Sequence, residues 1–152
     1  MRTPKWAENL VLDALIHLEE QGHKVPAPII RWHKRHGCDS SGHASGDTIT
    51  INAGKDRTDT KLVVLHEVAH LVTKCEPQYW NIERAKKNGW IFSKEPTEPI
   101  IMRNISHTAK FWDVAWNLYR WAKLPIRYCQ RREYPYKVGA QAAYKRNRKE
   151  GK

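Results

Sequence analysis

Residues 62 to 72 read Leu-Val-Val-Leu-His-Glu-Val-Ala-His-Leu-Val, an apolar run of helical length broken only by two histidines and one glutamate. A helix that is apolar nearly all round belongs inside a fold, and three ionisable side chains in it are costly to bury without partners. Residues four apart on a helix are rotated by about 40°, so His66 and His70 leave from one face and can reach a single ion at roughly 2.0–2.1 Å. Glu67 is turned about 100° from His66, beside such an ion, where it can act as a base rather than a ligand. This HExxH spacing therefore predicts a buried helix that carries two ligands of a hydrolytic zinc, with Glu67 as general base.

Such a zinc takes three protein ligands and keeps a fourth position for water. His107 fits the third place, because it opens a helix as His107-Thr108-Ala109-Lys110-Phe111, with Phe111 one turn on to anchor it in the core. Glu76 and Glu83 are the alternatives if the site uses a carboxylate, and His43, just ahead of an alternating strand, is a further candidate at the border of the cleft. His17, His23, His33 and His36 read as surface residues. An amide-hydrolysing site also needs a second electrophile for the developing oxyanion, for which Tyr79, Tyr128, Tyr134 and Tyr136 are on offer.

Around the motif the chain reads as a single α+β unit. Thr3 and Pro4 open a first helix that runs to Gly22. Ile29–Trp32 and Asp47–Asn52 read as strands of a small antiparallel sheet, with Ile49 and Ile51 facing the core and Thr48 and Thr50 facing away. Thr58 or Asp59 caps the motif helix. From Glu76 to Ser106 the pattern is irregular, with a short helix around Asn81–Asn88, a stop at Gly89 and a turn at Pro96–Pro99. A third helix runs from Ser106 to Leu124 ahead of Pro125, with Phe111, Ala115, Leu118, Tyr119 and Ala122 on its inner stripe and Trp112 and Trp116 in the core. The organisation expected is a core over 1–124 and a basic, aromatic extension over 125–152.

With 152 residues the chain fits one domain, and its three scattered cysteines, without a CxxC pair, support neither a disulfide framework nor a zinc ribbon. No apolar stretch of about 18 residues is present, and the first twenty residues mix acids into their hydrophobic run, so a cytoplasmic protein without a membrane partner is expected. The net charge of +11 is uneven, because residues 120 to 152 hold eleven Lys or Arg against two Glu. Such a concentration suggests an anionic partner, DNA foremost, met by Arg131, Arg132, Lys145, Arg146 and Arg148, with tyrosines interleaved to stack on bases.

Taken in order, Gly42-His43-Ala44, Thr48-Ile49-Thr50-Ile51-Asn52, Leu65-His66-Glu67-Val68-Ala69-His70 and His107-x-x-x-Phe111 resemble the SprT-like zinc metallopeptidases over roughly residues 25 to 122. The resemblance implies a zincin-like α+β fold, with a small antiparallel sheet packed on the HExxH helix. It implies one zinc per chain on His66, His70 and His107, Glu67 as the catalytic glutamate, and endopeptidase action on proteins, including those associated with DNA. It also implies that an extended substrate pairs with a sheet edge at Asp47–Asn52. Thr108 stands where the family has Gly, and 36 residues separate His70 from His107. Two other readings remain open: a repressor-cleaving peptidase of the ImmA/IrrE kind, and a nucleic-acid-binding module whose zinc is structural, which a closed shell of four ligands would mark.

Overall fold

Ala7, Val11, Ala14, Leu15 and Leu18 recur at three- and four-residue intervals and line the buried face of α1 (Lys5–Glu20). Pro4 stands at its N-cap, and Gly22, at φ +94°, closes it while the His23 N–H reaches back to the Leu18 carbonyl at 3.0 Å. The computed structural model describes residues 2–33, 42–87, 89 and 100–133. In chain order there follow β1 (Ile29–His33), β2 (Gly42–Ser45), β3 (Thr48–Asn52), α2 (Arg57–Val72), β4 (Glu76–Asn81), α3 (Ile82–Lys87), β5 (Ile100–Ile105), α4 (Ala109–Trp121) and α5 (Ile126–Arg132).

The class is α+β, but the small sheet is mixed rather than antiparallel. Its order is β1-β3-β2: β2 and β3 form an antiparallel hairpin, while β1 runs parallel to β3 in the register Ile30↔Ile49 and Trp32↔Ile51. Alternation tells which side chains point inward and is the same for either strand direction, so it could not distinguish the two. Ile49 and Ile51 are fully buried and Thr48 and Thr50 only partly, as the alternation requires. Trp32 joins the same core and meets Trp6 of α1 edge to face at 6.1 Å.

Helix α2 is the element the others cover: α1, α4, β2 and β3 all pack on it. Its cap is Asp56, not Thr58 or Asp59, because the extended backbone of Asp56 (φ −149°, ψ −179°) brings its carboxylate over the Asp59 N–H at 2.8 Å. The Thr60 hydroxyl donates to the Asp56 carbonyl at 2.8 Å and accepts from the Gly54 N–H at 2.9 Å. Gly54 lies so close that a Cβ on it would stand 1.9 Å from Asp59 Oδ2. That carboxylate cannot yield easily, since Arg132 Nε donates to its other oxygen at 2.9 Å and the Tyr128 hydroxyl donates there too.

The stretch after α2 is more regular than its sequence suggests, because Glu76–Asn81 and Ile100–Ile105 pair as an antiparallel ladder, with α3 following β4 directly. Neither strand alternates, which hid both. The Pro96–Pro99 turn lies outside the described residues. Helix α4 buries Phe111, Trp112, Val114, Ala115, Trp116, Leu118 and Tyr119, and the two tryptophans at 1% exposure are core, not stacking platforms. Beyond Pro125 the chain does not leave the body at once: α5 buries Cys129, and Glu133 after it is 3% exposed. The basic extension expected from 125 thus begins with a helix that belongs to the core, and no helix among the described residues is long and apolar enough to cross a membrane.

Gly54→Ala drives a methyl into a carboxylate held by two other donors. It should lower the stability by about 1–3 kcal/mol, read as a shift in the urea midpoint at unchanged slope. A midpoint equal to the parent's would show that the Asp59 cluster is loose.

Candidate metal centre

His66 and His70 sit one turn apart on α2, and His107 lies two residues ahead of α4, where Thr108 caps the helix by accepting the Phe111 N–H on its hydroxyl at 3.0 Å. Thr108, which replaces a glycine in the resemblance, is therefore the residue that fixes where α4 starts and so where His107 stands. His66 Nε2 and His107 Nε2 face each other at 3.1 Å, and ligand nitrogens of all three histidines lie within 4.8 Å of one another. The edge of a tetrahedron with metal–nitrogen bonds of 2.0–2.1 Å is about 3.3 Å, so the His66–His107 spacing is that of two ligands on one ion. Among the described residues no fourth His, Cys, Asp or Glu joins them.

Aromatic rings wall the cluster. Phe111 stacks on His70 at 4.1 Å and meets His66 edge-on at 4.9 Å, and Trp112 lies nearly parallel to His107 at 5.6 Å. Burial within this wall, reinforced by His66 and opposed by Glu133, pushes His107 down to about 4, so its imidazole stays neutral at ordinary pH, the form in which a histidine ligates a metal. Glu67 is 5% exposed. Its Oε2 is buried with no hydrogen-bond partner among the described residues. Burial pushes Glu67 up to about 7, with His66 pulling the other way and Glu133 adding to the rise. A buried orphan carboxylate oxygen beside convergent imidazoles is what a bound cation would relieve, so this residue set fits a metal ion.

Two neighbours of the cluster were missed in the sequence. Glu133 Oε1 accepts from His66 Nδ1–H at 3.2 Å, and the Tyr119 hydroxyl donates to the same oxygen at 3.2 Å. Tyr119 was visible only as part of the α4 stripe, and Glu133 only as one of two acids in a strongly basic segment. That isolation was the one available signal.

The other sequence candidates fall elsewhere. Glu83 is exposed on α3, away from the three histidines, and His43 sits on β2 opposite Thr50, its side chain, like those of Glu76 and Tyr79, outside the described residues. Tyr128 donates to Asp59 near the start of α2, two turns from His66, and is no oxyanion donor. Arg132 is paired with Asp59, so of the residues expected to meet DNA only Arg131 is both described and exposed. Tyr134, Tyr136, Lys145, Arg146 and Arg148 lie outside the described residues. His17 is half-buried, donating to Asn117 Oδ1 at 2.9 Å and stacked on Trp121. Strand β3 is the middle of its sheet, paired on both sides, so Asp47–Asn52 is no edge for a substrate. No protein-family model matches the chain, and no curated protein or solved structure matches it.

Glu67 gives the metal-free protein a pH signature. Between its ordinary 4.5 and about 7 the folded chain keeps a proton that the unfolded chain releases. Stability therefore falls as pH rises through that window, by about 3 kcal/mol at most, and is level above it. Urea unfolding of chelator-treated protein at several pH values should show this fall, and Glu67→Gln should remove it. A slope that is the same in both proteins would mean that Glu67 is not buried as described.

Proposed function

We propose that the chain is a zinc-dependent endopeptidase with a zincin-like site, in which His66, His70 and His107 hold the metal and Glu67 is the general base. The observation that carries this reading is the buried, unpartnered Oε2 of Glu67 beside three imidazoles whose ligand nitrogens converge. Three nitrogen ligands with no fourth side chain among the described residues favour zinc in a hydrolytic rather than a structural role, which argues against a structural-zinc module. A zinc ion there supplies Lewis acidity, polarising a carbonyl and bringing the pKa of a bound water close to 7.

The chain's own residues do the rest. Glu67, as carboxylate, takes a proton from the water that attacks the scissile carbonyl carbon. The same carboxyl then delivers that proton to the leaving amide nitrogen as the C–N bond breaks. Its raised proton affinity suits both directions of transfer near neutral pH. Phe111 and Trp112 keep the histidines' flank dry, which strengthens each of these interactions. With β3 enclosed, an extended peptide would pair instead with the outer edge of β2, which is unpaired among the described residues and packs beside α2.

Proteins associated with DNA are the proposed substrate class, on the strength of the basic segment 120–152 and the SprT-like motif order. In that role Arg131, Lys145, Arg146 and Arg148 would follow phosphates in the cytoplasm of the cell.

Zinc analysis should give about one ion per chain in both the parent and Glu67→Gln, with hydrolysis of casein or of DNA-bound protein reduced about 10²–10⁴-fold in the variant. Full activity in Glu67→Gln would overturn the mechanism. The DNA association should weaken steeply with salt and on removal of the residues after Val138, and an affinity indifferent to both would remove DNA from the reading.

A further inference from the structure

The end of α5 grips α2 at two places. Arg132 Nε donates to Asp59 Oδ1 at 2.9 Å, joined there by the Tyr128 hydroxyl, while the next residue, Glu133, accepts from His66 Nδ1–H at 3.2 Å. Asp59 and His66 are seven residues apart on α2, which is about 10 Å along the axis and within about 20° of the same face. Two adjacent residues of one element therefore span two turns of the other. Tyr119 OH donates to the same oxygen of Glu133 from α4 at 3.2 Å, and with Glu133 3% exposed that carboxylate has little room to turn elsewhere.

We infer that Glu133 is a positioning residue for the metal site. Its hydrogen bond holds His66 in the Nδ1–H tautomer, leaving the Nε2 lone pair aimed at His107, and the Asp59–Arg132–Tyr128 cluster holds Glu133 in place. The inference rests on reading the three histidines as a metal site, and it assigns the metal's affinity to a helix outside the HExxH and His107 segments. An imidazole is a ligand through one nitrogen only when the other carries the proton, so whatever accepts that proton chooses the ligating atom. A carboxylate in that place also makes the ligand nitrogen more basic. In the other tautomer His66 would turn an N–H toward the ion and the site would lose a ligand.

The device is testable without any assay of hydrolysis. Zinc affinity, measured by competition with a chromogenic chelator, should fall about 10–100-fold in Glu133→Ala. In E133Q the amide oxygen still accepts from His66 and Tyr119 but carries no charge, and the loss should be about 10-fold or less. Asp59→Asn should weaken zinc in the same direction, and combining it with Glu133→Ala should add little, since both remove one device. Long-range proton–nitrogen NMR of the zinc-free protein should show the Nδ1–H tautomer of His66 in the parent and E133Q, and its loss in Glu133→Ala. A role confined to stability would lower the unfolding midpoint and move neither the tautomer nor the zinc affinity of the folded variants.

Folded Glu133→Ala with parental zinc affinity overturns the inference. If that variant does not fold, a folded Glu133→Leu, of similar size but with no acceptor for the His66 N–H, that binds zinc as the parent does, together with an unchanged Asp59→Asn, overturns it equally. A parent that binds no zinc removes the metal reading and this one together. A parent that binds zinc, loses affinity with Glu133 and still cleaves no peptide removes only the peptidase reading.

Discussion

The middle of α2 is buried except where its two histidines are partly exposed, yet it carries a carboxylate and an imidazole pair. Leu62 to Leu65, Val68 and Ala69 are buried against α1, α4 and the sheet, and Glu67 is buried with them. An ionisable group in that setting must lose its charge, find a partner or share a cation. The surrounding architecture answers that requirement. Helix α4 brings His107 and two aromatic rings to the histidines, and α5 brings a carboxylate to the far nitrogen of His66.

The two ends of α2 are treated differently as a result. At the N-terminal end polar groups are matched within the chain: Asp56 caps, Thr60 bridges to Gly54, and Asp59 is held by Arg132 and Tyr128. Burial raises the Asp59 carboxyl, but hydrogen bonds from Tyr128 and Arg132 and the arginine's charge outweigh it and hold the group below its ordinary value. Two turns later the balance is reversed. Glu67 has no such donors among the described residues and is pushed up to about 7. One carboxylate is thus kept charged as structure while the other is poised to exchange a proton, and the difference lies in their neighbours.

What could be read from the chain follows from how local each feature is. The motif helix, the α1 face, the inward isoleucines of β3 and the pairing of His66 and His70 rest on periodicities of a few residues, and each appears where the spacing put it. His107 needed one step more, a helix start whose cap, Thr108, carries it to the other two histidines. Strand direction, the order β1-β3-β2 and the β4–β5 ladder depend on contacts between distant segments and leave no mark on alternation. Glu133 was hidden for the same reason: its function comes from a contact 67 residues away, and its own neighbourhood reads as a basic tail.

The double grip of α5 on α2 also bears on how such a chain can drift over evolutionary time. Lys61, half-exposed between the two contact points, has room to change identity, because neither contact uses its side chain. The number of residues from Asp59 to His66 has no such freedom. One insertion or deletion would swing His66 by about 100° relative to Asp59 and shift it about 1.5 Å, so Arg132 and Glu133 could not both reach their partners. In sequences descended from this one, the count of seven should outlast the residues that fill it, and a gap in that stretch would mark a chain whose α5 no longer docks here.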